Sequence, residues 1–186
     1  LVRPLRDHAL LLYTQLHGPW ERLLPSNNRV LQAGDTCLYL FPRLLRGVLR
    51  QELLTLPTGT TLRMAVSHMN DMRMSRTLGL LAKRGISMEI LAHDTERRVP
   101  RRIEDRLGEH LVFRRYSHPE GLPMHNKFIL IDTPRCRKVV FGSMNLSKRS
   151  LHANHELLAI STSPFLYEAF RHRWDQMMHE VGAMRS

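Results

Sequence analysis

The sequence predicts an α/β fold, a mixed and mostly parallel sheet flanked by helices on both faces. Three observations carry that expectation. Leu62–Ser67 alternates as a strand, Met74–Lys83 reads as a helix stopped by Arg84-Gly85, and Ile86–Leu91 is again a strand. Strand, helix, glycine stop and strand make a crossover unit, which sets two parallel strands side by side. Downstream, Phe128–Ile131 and Val139–Phe141 are short apolar runs around the turn-like stretch Thr133–Lys138, the pattern of a buried hairpin. Phe128–Ile131 is apolar at both parities. Both of its faces must therefore be covered, which places the hairpin near the centre of the sheet.

Taken in order, Leu1–Leu24 reads as a helix, with Leu5, Ala9, Leu12, Tyr13 and Leu16 at helical spacing, and Pro25-Ser26-Asn27-Asn28 breaks it. Leu38–Phe41 is a short apolar run and Pro42–Leu54 a helix rich in Leu and Arg. Thr58-Gly59-Thr60 turns the chain into the crossover unit, where Gly85 suits a left-handed helix cap. His93–Gly108 is polar, carries Arg97, Arg98, Arg101, Arg102 and Arg106, and reads as a loop running into a short helix. Leu111–Arg115 is a strand, and Ser117–Leu122 a loop that delivers the chain to His125. Glu156–Ile160 is a last strand, followed by a closing helix over Ser163–Met178.

A chain of 186 residues has material for one domain or slightly more. Its charged content, 24%, is ordinary, but a net charge of +11 is not. That surplus points to an anionic partner: phospholipid head groups, a nucleic acid, or both. Cys37 and Cys136 make no disulfide framework and join no metal-binding spacing. His152 and His155 form an H-x2-H pair with no third ligand in view, so neither a metal nor a cofactor is expected. No run reaches the ~18 apolar residues of a membrane span. The expected location is cytoplasmic or at a membrane surface, through peripheral contact.

The chemistry concentrates in Pro123–Asn145. Side chains on a strand alternate faces, so His125 and Lys127 point the same way, and Ser143 and Asn145 can do likewise. Imidazole, ammonium, hydroxyl and amide on one wall form a phosphate-handling set. Asp132 has the opposite parity and is expected to brace the hairpin. His68, at the end of the Leu62 strand, is a candidate cleft residue, as are Arg97 and Arg101, whose guanidinium forks match phosphate oxygens.

The run His125-Asn126-Lys127, four residues, Asp132, then Gly142-Ser143-Met144-Asn145 resembles the phospholipase D superfamily, whose signature is H-x-K-x4-D followed by G-S-x-N. The crossover segment AKRGISMEIL is similar to the same step in that family. Gly142–Glu156 looks like the G-S-x-N-x-D-x-R-S-x3-N-x-E pattern of bacterial cardiolipin synthases, with Ser147 where those enzymes commonly carry Asp. The gap between Asp132 and Gly142 is longer than usual, which the hairpin insert accounts for.

The resemblance implies phosphodiester chemistry through a phosphohistidine, with no cofactor. His125 would be the nucleophile and Lys127 the cation on the non-bridging oxygens. Ser143 and Asn145 would add hydrogen bonds to those oxygens. Glu156, in Asn154-His155-Glu156, would hold the second nitrogen of His125, and Gly142 and Asp132 would be structural. The family uses two histidines, one attacking and one protonating the leaving oxygen, from two motif copies. This chain has one copy, since nothing in Leu1–Ser117 reads H-x-K-x4-D. The second is expected from an upstream half or from a second identical chain. Residues 1–28 would then be the closing helix of an upstream half, its Ala9 and Tyr13 spaced like Phe170 and Trp174, and residues 29–186 a catalytic domain with one motif. The implied substrate is a phospholipid. The alternative is DNA or RNA, favoured by the Arg97–Arg106 cluster, although 6% aromatic content offers few rings for base stacking. A silent binding scaffold is the third reading, and the intact motif set argues against it.

Overall fold

The computed structural model of the chain describes residues 2–14, 23–44, 47–108, 110–152 and 154–183. The strands are β1 (Val30–Ala33), β2 (Thr36–Phe41), β3 (Thr61–Val66), β4 (Ser87–His93), β5 (Val112–Tyr116), β6 (Lys127–Asp132), β7 (Arg137–Gly142) and β8 (Glu156–Ser161). The helices are α1 (Val2–Thr14), α2 (Pro25–Asn28), α3 (Val48–Leu54), α4 (Met72–Lys83), α5 (Arg101–Gly108), α6 (Lys148–His152) and α7 (Pro164–Ala183). One eight-stranded sheet runs β1-β2-β8-β7-β6-β3-β4-β5.

The sheet is mixed, but its parallel part is smaller than expected. Only β3–β4 and β4–β5 are parallel, joined by crossovers through α4 and α5. The other neighbours are antiparallel. The reason is local, because short connections make antiparallel hairpins of β1–β2 and β6–β7. The motif hairpin lies centrally, with β6 between β7 and β3.

Alternation along β6 divides the core. Ile129 and Ile131 pack with Leu49 and Leu53 of α3, Met74, Leu78 and Leu81 of α4, and Ile103 and Leu107 of α5. Phe128 and Leu130 pack on the opposite face against Tyr167, Trp174 and Met177 of α7. Helices therefore cover both faces, and β6 is apolar at four consecutive positions because neither side meets water.

Several boundaries differ from the sequence expectation. The first helix is described to Thr14, and residues 15–22, with Leu16 among them, lie outside the described residues. The edge strand β1 was not expected. The helix expected from Pro42 begins only at Val48, with residues 45 and 46 outside the described set. Side chains explain the loss. Asn27 Nδ2 donates to Pro42 O at 2.9 Å and Asn28 Oδ1 accepts from Leu44 N at 3.0 Å, holding that backbone in a bent, non-helical path. The motif hairpin loop is also tighter than Thr133–Lys138. Thr133 Oγ1 accepts from Arg135 N and Cys136 N, which closes the turn and leaves Arg137 and Lys138 in β7.

Gly142 ends β7 with φ +148°, and a Cβ there would lie 2.1 Å from Leu157 O and 3.0 Å from Leu157 C. The missing side chain lets β8 approach, so that Ser143 N reaches Leu157 O at 3.0 Å. Gly79 differs, because its Cβ would meet nothing within 4 Å on helix α4. Gly142→Ala should lower the unfolding free energy by more than about 2 kcal/mol. Gly79→Ala should raise it by about 0.5–1 kcal/mol. Denaturant midpoints measured on the two variants check both expectations.

Candidate active site

The site forms where three loops meet at one end of the central strands. Leu146 N donates to His68 O at 3.0 Å, and Asn70 N and Asp71 N donate to Leu146 O at 3.1 and 3.2 Å. These bonds tie the loop after β7 to the exit of β3. Met69 N donates to Arg98 O at 3.0 Å, which brings in the loop after β4. Asp71 then caps α4, accepting from Met74 N at 2.8 Å, so the hub continues into a helix. Lys127, Asn145 and His68 line one small cavity, together with Val66, Gly142 and Met144.

Lys127 is the first residue of β6 and half-buried, and its Nζ donates to His125 O at 2.9 Å. Burial lowers its pKa, Arg98 lowers it further, and the Glu156 carboxylate opposes both. Burial also lowers the pKa of His68, reinforced by Arg98, Lys127 and His93. The Asn145 amide opposes this shift, although its buried Oδ1 has no hydrogen-bond partner among the described residues. His125 precedes β6 and is exposed, and its imidazole makes no hydrogen bond to the described residues.

Two expected roles differ in the structure. Glu156 was expected to hold His125. Its Oε2 instead accepts from Ser143 Oγ, and its Oε1 from Asn154 Nδ2 at 3.2 Å. Ser143 was expected to face phosphate, but its one hydroxyl proton is committed to Glu156 and its oxygen accepts from Leu157 N at 3.0 Å. In this geometry Ser143 positions Glu156, whose charge in turn faces Lys127.

Asp132 lies at the far end of β6 from Lys127 and on the α7 face. Its Oδ2 accepts from Arg63 Nη1 at 2.8 Å and from the Tyr167 hydroxyl at 2.6 Å, and Arg137 Nε lies 3.4 Å from Oδ1. It thus joins β3, β6, β7 and α7. Burial and the neighbouring carboxylate push the Tyr167 phenol well above its usual value, so it remains a donor.

The arginine cluster separates. Arg97 and Arg98 line a cleft of about 580 Å³ with His68, His93 and Ser117, whereas Arg101 is ion-paired with Glu96 at the surface. Sequence reading did not single out Arg98 or His93 as cleft residues: Arg98 lies in an aperiodic loop that carries no signal of direction, and His93, read as the start of that loop, instead ends β4. His155 is exposed, and the side chain of His152 lies outside the described residues. Among the described residues no three His, Cys, Asp or Glu side chains group as metal ligands. No helix among them is long and apolar enough to cross a membrane.

Residues 55–178 match the protein family described as cardiolipin synthase, PLD-like domain. The chain is 27% identical over 172 residues to a mitochondrial cardiolipin hydrolase of Danio rerio, covering 92% of this chain and 74% of that protein. Its fold is similar to that of the phospholipase D family member Nuc from Salmonella typhimurium. There the TM-score is 0.64 at 20% identity, over 78% of this chain and 94% of the other. It is also similar to NucT from Helicobacter pylori, with TM-score 0.64 at 17% identity, over 78% and 98% of the two chains.

The lowered His68 and His93 pKa values carry a sign. Each folded value lies below the unfolded one of about 6.5, so the unfolded chain binds more protons in that window. Stability is full above the unfolded value and is lost as pH falls through the folded values. Unfolding free energy should therefore drop between neutral pH and about pH 5, and His68→Gln should lessen that drop. Denaturant unfolding at the two pH values measures it.

Proposed function

The chain belongs to the family described as cardiolipin synthase, PLD-like domain, and we propose that it cleaves or transfers a phospholipid phosphodiester through a phosphohistidine. One observation supports this above the others. Lys127 and Asn145 share a cavity, with the Ser143–Glu156 pair held beside it, and the unengaged imidazole of His125 stands two residues ahead of Lys127. The relative from Danio rerio, a cardiolipin hydrolase, supports the lipid side of the reading.

A neutral imidazole nitrogen of His125 attacks phosphorus, the N–P bond forms and the bond to the leaving oxygen breaks. A second histidine, from another motif copy, gives its proton to that oxygen. Water or an alcohol then attacks the phosphohistidine, losing its proton to the second histidine and freeing His125. Lys127 and the Asn145 amide donate to the non-bridging oxygens throughout. Partial burial strengthens the lysine, because little water competes for its charge. The exposed, unpartnered ring of His125 suits a site closed by another motif. That motif comes from an upstream half, whose last segment would be residues 1–28, or from a second copy of the chain. Residues 29–186 are the catalytic unit in either arrangement.

A nucleic acid substrate is the second reading, favoured by Arg97 and Arg98 in the adjoining cleft and by the +11 charge. His125→Ala should lower turnover by about a thousandfold or more in the assembled protein. Phosphatidylglycerol, cardiolipin and single-stranded DNA are assayed side by side. Wild-type turnover by the alanine variant would remove His125 from the chemistry, and turnover of DNA alone would establish the second reading.

A further inference from the structure

Helix α4 carries a cationic stripe that neither the core nor the motif cavity uses. Met74, Ser75, Thr77, Leu78 and Leu81 face the core, whereas Arg73, Arg76, Leu80 and Lys83 are exposed. The exposed set is spaced three, four and three residues apart, which places it along one side of the helix. No Asp or Glu lies between Met72 and Lys83. Arg50 of α3 is also exposed, and its Nε donates to Thr77 Oγ1 at 3.1 Å.

A groove of about 800 Å³ runs between the two helices, with Leu44, Arg50, Arg73, Arg76 and Leu80 along it. The acids nearby are engaged elsewhere. Asp71, 5% exposed, caps α4 by accepting from Met74 N, and Glu52 of α3 pairs with Lys138 at 2.7 Å. Arg50, Arg73, Arg76 and Lys83 pair with no carboxylate among the described residues. Leu80, between Arg76 and Lys83 on the stripe, is 53% exposed, and Leu44, in the segment before α3, is 56% exposed. The surface is also held in shape. Arg84 donates to Leu54 O at 2.9 Å and to Leu56 O at 2.8 Å, which with the Arg50–Thr77 bond fixes α3 against α4.

We propose that this α3–α4 face is where the chain lies on an anionic lipid bilayer, a contact separate from the chemistry at His125. Two features select a bilayer over a nucleic acid. Half-exposed leucines gain by entering the apolar boundary below the head groups, whereas a phosphate backbone offers them nothing. The groove lining also includes no aromatic ring on which a base could stack. The guanidinium groups meet lipid phosphates through paired hydrogen bonds, and each basic side chain adds to the attraction of an anionic leaflet. The apolar side of α4 stays in the core, so the contact is peripheral. Docking here sets the motif cavity beside the bilayer. Asp71 N, at the start of α4, donates to Leu146 O, and Leu49 lines both the groove and the cavity.

Sedimentation of the full chain with vesicles tests this without turnover, comparing phosphatidylcholine alone with an equal mixture of phosphatidylcholine and phosphatidylglycerol. The mixed vesicles should bind at least about tenfold more tightly. Arg73→Gln with Arg76→Gln should weaken that binding about tenfold, and Leu44→Gln with Leu80→Gln, which keeps the charge, about fivefold. Arg3→Gln with Arg135→Gln removes equal charge from α1 and the hairpin turn, and should stay within about twofold of the wild type. Thermal melting checks that each variant is folded. Equal binding to both vesicles, or a loss in the Arg3 and Arg135 variant as large as in the Arg73 and Arg76 variant, would overturn the proposal. So would unaltered vesicle binding by the folded arginine or leucine variant of the face. If the Arg73 and Arg76 variant loses binding to single-stranded DNA but not to vesicles, the face belongs to a nucleic acid instead.

Discussion

The backbone of residues 68–71 is the constraint on which the site depends. His68 O, Asn70 N and Asp71 N all bond to Leu146, and Met69 N bonds to Arg98 O. Three segments far apart in sequence are thereby brought into contact at one end of β3 and β6. Because Met69 is fully buried and Asp71 caps α4, the hub is anchored in the core rather than laid over it. The electrostatics follow from that geometry. Burial, and after it the charge of Arg98, lowers the pKa of Lys127, His68 and His93, with Glu156 as the opposing charge at Lys127. Lys127 and Arg98 are thus two cations set beside imidazoles that burial keeps neutral, an arrangement that suits the anion proposed for the site.

Strand β6 then divides the proposed reactive side from structural support by parity alone. Lys127 looks to the face covered by α3, α4 and α5, while Asp132, five residues on, looks to α7 and ties Arg63 and Tyr167 together. The same motif thus has one end at the cavity proposed as the active site and one structural end, and the buried stretch Phe128–Ile131 keeps them apart. Across the hairpin, the close approach of β8 to Gly142 sets the position of Ser143, and through it that of Glu156.

Much of this was legible in the sequence wherever the signal was periodic. The β3–α4–β4 crossover, the central hairpin, the opposite parity of Asp132 and the closing helix α7 all follow from spacing that a single strand or helix imposes. What was not legible depended on tertiary partners. The helix expected from Pro42 loses its first turns to Asn27 and Asn28, residues from a different segment. The proportion of parallel strands was overestimated because β1 and β8, one short and one read without its partner, could not be placed in the order. Glu156 was assigned to His125 by analogy of position, whereas the structure pairs it with Ser143 across the β7–β8 contact. The arginines of the loop after β4 looked equivalent in sequence. Only the bond from Met69 to Arg98 and the pairing of Arg101 with Glu96 distinguish them.

The His125–Lys127 wall is proposed to carry a phosphoryl group during the reaction. Quenching the assembled protein in alkali during turnover of a phosphate-labelled substrate, then mapping the label by mass spectrometry, addresses it directly. An acid-labile, alkali-stable phosphate is expected on the imidazole of a motif histidine, His125 or its counterpart in the second motif copy. Label on the Ser143 hydroxyl or on a carboxylate, or continuing turnover with no labelled protein, would contradict it.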